Sequence, residues 1–431
     1  MITSSSGQRS VDTVTVVAGG KRPTFINGEN ANNNAIQSAL NGATSGDMII
    51  VGPGKYRGGL LMWKPVRLQG VAAASTIIDA NTHPSGNSTI DNWRRQVNCL
   101  FGISLSGALI NGDPTGTPPT PPTQYDPTGT YSCPASMLPV FVTDTVGTTT
   151  TTTSQATVDP IPLEPVVGWN SNLNANLSEL LQEPTLMGAY EFAGITVLAK
   201  GLANNDTTNC SALNNGAGCI PLNAATGSVP HNGYNQGLGD CNPLSAFYKS
   251  NFLCNPSRID GMSFNNSSQG GGGVFLHGWA HNIEVSNNRV TNNAGTLTGG
   301  ITVGQAEVTD PTLGGVRCAA VPGAAVSATD AAPLCLDANV NMHNNNVSFN
   351  ASYGDELNST TPSSGGGVTV APGSDNYNFS YNWVCGNLST GDGGGFAHYG
   401  LSFNGVIAHN SFLFNQSNNP TIPTWGGGLV V

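Results

Sequence analysis

The stretch Ile283-Glu284-Val285-Ser286-Asn287-Asn288-Arg289-Val290-Thr291-Asn292-Asn293 returns three times further along the chain. Val340–Asn350 keeps Met342, Asn345, Val347 and Asn350 in register, and Tyr377–Asn387 keeps Phe379, Asn382, Val384 and Asn387. Gly405–Asn415 keeps Ile407, Asn410, Phe412 and Asn415, and a shorter copy runs from Asp260 to Asn265. In an extended chain alternate side chains share a face, so the apolar members of each copy point one way. Asparagine tolerates left-handed dihedrals and its amide bonds nearby backbone, which suits a tight bend. Stacked coil on coil, Asn288, Asn345, Asn382 and Asn410 are expected to form one amide ladder. A second would run through Asn265, Asn293, Asn350, Asn387 and Asn415.

Between these copies lie glycine clusters followed by alternating apolar residues. Gly271-Gly272-Gly273 precedes Val274-Phe275-Leu276, and Gly299-Gly300 precedes Ile301-Thr302-Val303. Gly365–Gly367, Gly393–Gly395 and Gly426–Gly428 precede Val368-Thr369-Val370, Phe396-Ala397-His398 and Leu429-Val430-Val431. The first apolar residues are 27, 67, 28 and 33 positions apart, so one coil takes about 27–28 residues and the long step holds an insertion. Glycine supplies positive φ at the corner. One coil cannot bury its apolar face alone, but neighbours stack into a continuous core.

Composition agrees. Glycine is 56 of 431 residues, about twice its usual share, and charged residues are 9% against an ordinary quarter. This excludes coiled coils and charged disordered chains. A net charge of -11 gives no basic footprint for nucleic acid. No apolar run reaches the roughly 18 residues of a membrane-spanning helix.

At the N-terminal side, Ala35–Leu40 reads as a short amphipathic helix. It is followed by the segments Ser45–Tyr56, Leu60–Gly70 and Thr76–Asp79. With the glycine corners and asparagine columns, this order resembles a right-handed parallel β-helix of the pectin-lyase-like superfamily, over residues 31–80 and 256–431. The resemblance implies an all-β solenoid with a short N-terminal capping helix and long loop insertions. The chain divides into an N-terminal extension (1–30), cap helix and first coils (31–80), a loop-rich insertion (81–255) and regular coils open at the C-terminal end (256–431). The insertion holds a Pro/Thr-rich stretch with the run Thr148–Thr153, which reads as surface loop. Cys99–Ile110 and Tyr190–Leu198 within it read as strand-like, giving one or two coils with very long loops.

Nine cysteines, several bracketing short loops (Cys210/Cys219, Cys241/Cys254, Cys318/Cys335), suggest disulfides and an extracellular or cell-surface location. Cys385 has no close partner and reads as a buried free thiol. No secretory signal opens the chain and no cap follows Val431, so a longer exported protein is expected.

The enzymes of the resembled superfamily are lyases, hydrolases and esterases acting on polysaccharides. From Ile259 onward only Arg289 and Arg317 offer a base of the lyase type, against ten acidic residues. A glycosidase needs two facing carboxylates. Asp355, Glu356 and Asp392 are the catalytic candidates, in turns before the glycine clusters. His277, Trp279, His281, Asp375 and Tyr399 form a candidate glycan-binding strip just past the first strand of each coil, since aromatic rings stack on sugars. His398 falls at an inward position and reads as a hydrogen-bonded core histidine. Trp93-Arg94-Arg95 reads as a solvated loop. No metal or cofactor is expected. Calcium on loop carboxylates is the one cation considered, and no EF-hand or nonapeptide calcium motif is present. The leading functional reading is a rigid, non-catalytic scaffold or adhesin-like module with polysaccharide or cell-surface glycan as partner. The alternatives are a polysaccharide lyase or glycoside hydrolase, and a module that stacks end to end.

Overall fold

The computed structural model describes residues 20–28, 33–81, 90–102, 131–138, 140–146, 149–155, 157–158, 189–190, 192–200, 248–252, 254–268, 271–295, 298–304, 337–353, 365–371, 373–400, 402, 404–419 and 423–431. Short strands stack into four parallel sheets that wind as a right-handed parallel β-helix. The first sheet runs through Thr24–Ile26, Met48–Val51, Arg67–Gly70, Ser257–Asp260, Ile283–Ser286, Asn341–His343, Asn378–Ser380 and Val406–Ala408. The second runs through Gly54–Arg57, Thr76–Asp79, Ser263–Asn265, Arg289–Thr291, Asn346–Ser348, Trp383–Cys385 and Ser411–Leu413. The third runs through Leu60–Met62, Ile195–Leu198, Val274–Gly278, Ile301–Val303, Val368–Val370, Phe396–His398 and Leu429–Val430. Two-residue strands from Ala294–Gly295 to Gln416–Ser417 form a narrow fourth sheet between the second and third.

Register follows the sequence repeat. Val285 pairs with Met342, Met342 with Phe379, and Phe379 with Ile407. Their side chains join Val274, Leu276, Ile301, Val303, Val368 and Val370 in one continuous core. Each fully buried aliphatic side chain contributes about 1.5–3 kcal/mol, and the shared core makes no single coil self-sufficient.

The cap helix, Asn33–Gly42, closes the upstream edge of the third sheet. Such an edge otherwise presents unpaired backbone groups. Gln37 answers it as a neighbouring strand would: its Oε1 accepts the Leu61 N–H (2.8 Å) and its Nε2 donates to the Leu61 carbonyl (2.9 Å). Lys64 donates to the carbonyls of Asn41 and Ala43 at the helix C-terminus. Burial there, with the nearby Lys249 charge, lowers its pKa to about 8.

The asparagine ladders form, with one change of membership. Asn288, Asn345 and Asn382 each donate Nδ2 to the next asparagine's Oδ1, ending at Asn410, over 3.0–3.2 Å. Asn293, Asn350 and Asn387 do the same toward Asn415 over 2.9–3.0 Å. Asn265 is not a rung. It is a strand residue paired with Thr291, and Ser267 meets Asn293 through its backbone N–H. The left-handed residue is also not the ladder asparagine but the one before it. At the first-to-second sheet corner these are Gly261, Asn287, Asn344, Tyr381 and His409, with φ between 55° and 65°. At the corner after the second sheet they are Asn266, Asn292, Phe349, Gly386 and Phe414.

The region between the first coils and the regular repeat departs from its sequence reading except at Tyr190–Leu198, where the expected strand forms as Ile195–Leu198. Residues Ile90–Phe101 form a helix, so Trp93-Arg94-Arg95 is not a solvated loop and Cys99 is not in a strand. Trp93, Val97, Leu100 and Phe101 recur at helical spacing and are buried. Val140–Val146 and Thr149–Gln155 pair antiparallel, so the threonine run is largely strand rather than loop. Ile195–Leu198 supplies a strand of the third sheet, between Leu60–Met62 and Val274–Gly278. A disulfide joins Cys99 to Cys133, a pair that no close spacing announced, and Cys254 is disulfide-bonded as well. Cys385 is free and half-buried. Cys210, Cys219, Cys241, Cys318 and Cys335 lie outside the described residues.

Candidate functional site

The outward face of the third sheet is sealed. Leu61, Leu198 and Trp63 pack with Trp93, Val97, Leu100, Phe101, Met137, Tyr190 and Phe192 in a second core. Trp93 meets Phe192 edge-on at 5.1 Å and donates its Nε1–H to the Ala189 carbonyl. Further along the same face Phe275, Thr302, Thr369 and Ala397 are buried as well.

That sealing decides the expected aromatic strip. His277, Trp279 and His281 are wholly buried, Asp375 nearly so, and Tyr399 is half-buried. His277 packs against Phe275 and Phe101, and Trp279 belongs to the main core. His277, Trp279, His281 and Asp375 therefore present no open face to a sugar ring. His281 Nδ1 accepts the Ala338 N–H, and burial lowers its pKa to about 4. Asp337 accepts the Ala280 N–H, and burial raises its pKa to about 7. His398 is hydrogen-bonded to the Tyr377 hydroxyl at 3.1 Å but is only half-buried. Asp392 accepts the Trp425 N–H at 2.7 Å in its turn, while Asp355 and Glu356 lie outside the described residues. Among the described residues no group of three or more His, Cys, Asp or Glu is placed to hold a metal ion, and no helix is long and apolar enough to cross a membrane.

The outward face of the second sheet is open and carries exposed aromatic side chains. Trp383 lies on the sheet and is 45% exposed. Tyr381 stands at the corner beside it, 60% exposed, stacked on His409 of the next coil at 4.8 Å and 12°. Phe349 stands at the opposite corner one coil earlier, 65% exposed. Its ring lies over Gly386, where an added Cβ would sit only 2.9 Å from Cε1, so the bare glycine makes room for the aromatic. Leu413 and Phe414 continue the surface on the next coil.

Tyr381, His409, Phe349 and Phe414 are all left-handed. For a residue with a Cβ that conformation costs about 1–2 kcal/mol, least for Asn. Earlier coils use Gly261, Asn287, Asn266 and Asn292 at the same places. The aromatics thus carry strain with little burial to offset it.

A polar network adjoins this surface on the first sheet. Arg258 Nη2 donates to both carboxylate oxygens of Glu284 at 2.8 Å, and His343 Nε2 meets Glu284 Oε1 at 2.9 Å. Asp260, almost fully buried, accepts from Ser286 and Asn287. Burial pushes the Glu284 pKa up, but the hydrogen bonds and charges of His343 and Arg258 outweigh it and leave it at about 2. The bond to Glu284 raises His343 against the effect of its burial. Sequence reasoning missed this network because its members are 26 and 59 residues apart, and only the register joins them.

Fold and surface together define a β-solenoid with one covered and one aromatic face. Compared with known proteins, the chain matches no family model, no curated relative and no solved structure.

Proposed function

We propose that this is an extracellular β-helix of the pectin-lyase-like type that acts as a rigid, non-catalytic scaffold and binds glycan on the outward face of its second sheet. One observation carries the reading: exposed aromatics occupy left-handed corner positions that asparagine or glycine fills in the preceding coils. Strained residues that gain little burial gather where a ligand supplies the missing contact, and flat exposed rings suit the apolar faces of sugars. The Cys99–Cys133 disulfide supports an oxidising, exported setting. Asp392, engaged with backbone in its turn, supports a structural rather than an acid–base role for that carboxylate.

The test replaces each aromatic by the residue its column already accepts. Tyr381→Asn and Phe349→Asn are expected to raise the thermal midpoint while weakening retention on polysaccharide affinity gels. Unchanged retention on every gel would sink the proposal. Turnover of any polysaccharide in the panel would replace it with the enzymatic reading.

A further inference from the structure

Resting on that reading, we infer that the glycan is an uncharged linear polysaccharide whose chain lies along the solenoid axis over the last three coils of the second sheet. Charge selects the ligand class. None of the residues 344–352, 381–389 and 409–417, which build this surface coil by coil, is Asp, Glu, Lys or Arg. The exposed cation of the same sheet nearest to it in coil order is Arg289, paired with Asn346 at the upstream edge of the surface and two strands before Trp383, with Lys55 and Arg57 further back. A carboxylated or sulfated polymer would find one cation, Arg289, at the upstream end and no countercharge on the Trp383 and Phe414 coils, whereas hydroxyl-rich uncharged rings need none. Hydrogen-bonding groups suited to hydroxyls stand between the rings: Asn344 and Asn346 on one coil and Ser411 on another.

Spacing sets the direction. Strands of neighbouring coils lie about 4.8 Å apart, close to the length of one pyranose ring in an extended chain. Phe349, Trp383 with Tyr381, and Phe414 fall on three consecutive coils. Phe349 and Phe414 share one corner column, separated by Gly386, so they recur after about 9.6 Å, two strand spacings. A chain along the axis meets a ring surface at each step. A chain laid across the coils meets one coil only and leaves the column.

Isothermal titration of the intact protein with cello-oligosaccharides of two to six units, and with oligogalacturonates of the same lengths, tests this. Affinity for the uncharged series should rise with each unit up to about four and then level. It should change less than twofold between low and high salt, and should fall at least tenfold in Trp383→Ala. Phe349→Asn should weaken the longer oligomers more than the shortest, and its unreduced melting temperature rules out unfolding as the cause. Tighter, salt-sensitive binding of the oligogalacturonates, or uncharged binding indifferent to Trp383→Ala, overturns the inference while leaving a glycan-binding scaffold in place. Binding of neither series, with none on the polysaccharide gels, removes both.

Discussion

The second and third sheets are built from the same coils, yet their outward faces have opposite fates. On the third, Leu61, Thr196, Phe275, Thr302 and Thr369 are buried, in part beneath a helix and a disulfide drawn from a distant stretch of chain. On the second, Trp383 remains open between corner aromatics. The inward residues of both obey one rule, core packing. What differs is the use of the alternate residues, which the solenoid leaves free. A repeat therefore fixes the fold without fixing which face works.

The sharpest way to break the comparison is to truncate one aromatic on each face. Phe275→Ala should cost about 3–5 kcal/mol, read as a lower urea midpoint, whereas Trp383→Ala should stay within about 0.5 kcal/mol. Equal losses would mean that the second-sheet face is packing surface after all.

Asp337, wholly buried in the turn that leads from the third sheet to the first, gives a pH-dependent contrast. Its folded pKa lies above its unfolded value, so its contribution is complete below about pH 4 and is lost as pH rises to about 7. His281 has the opposite sign: its contribution is present above about 6.5 and lost as pH falls toward 4. The two offset each other between pH 4 and 6.5. Asp337→Asn keeps an acceptor for Ala280 and should add up to about 4 kcal/mol at pH 8, measured by urea unfolding, with a stability that now climbs with pH between 4 and 6.5.

Smaller effects belong to the open face. Phe349→Asn or Tyr381→Asn should each stabilise by about 1 kcal/mol in the same assay. Least of all, Glu284→Gln should remove a half-exposed contribution that in the parent fades as pH falls from 4.5 toward 2. Following unfolding between pH 3 and 6 in parent and variant checks that slope.

Much of this architecture was legible from residues alone. The asparagine rungs other than Asn265, the glycine corners and the cap helix read correctly, because each is a residue type doing what only that type does at that place. The left-handed columns read one position late: Tyr381 and Phe349 carry no chemical mark of positive φ, and Asn288 distracts from Asn287. The Ile90–Phe101 helix was obscured by its Pro- and Thr-rich surroundings, although Trp93, Val97 and Leu100 carry its period. His277, Trp279 and His281 looked like a surface strip because nothing local says that their side of the coil is covered. The aromatic face escaped notice for the complementary reason. Phe349, Tyr381 and Phe414 lie 32 and then 33 positions apart, and only coil register unites them.

The ladder rungs have one more consequence. Successive rungs are separated by 57, 37 and 28 residues, yet the amides meet at nearly the same distance each time. The ladder thus acts as an index mark, resetting the chain to the same phase however much sequence was spent since the last one. Lengthening a connection between rungs adds loop-closure entropy that grows only with the logarithm of its length, and it shifts nothing downstream. Peptide spliced between Gly304 and Asp337 is accordingly expected to leave the spacing of Phe349, Trp383 and Phe414 unchanged.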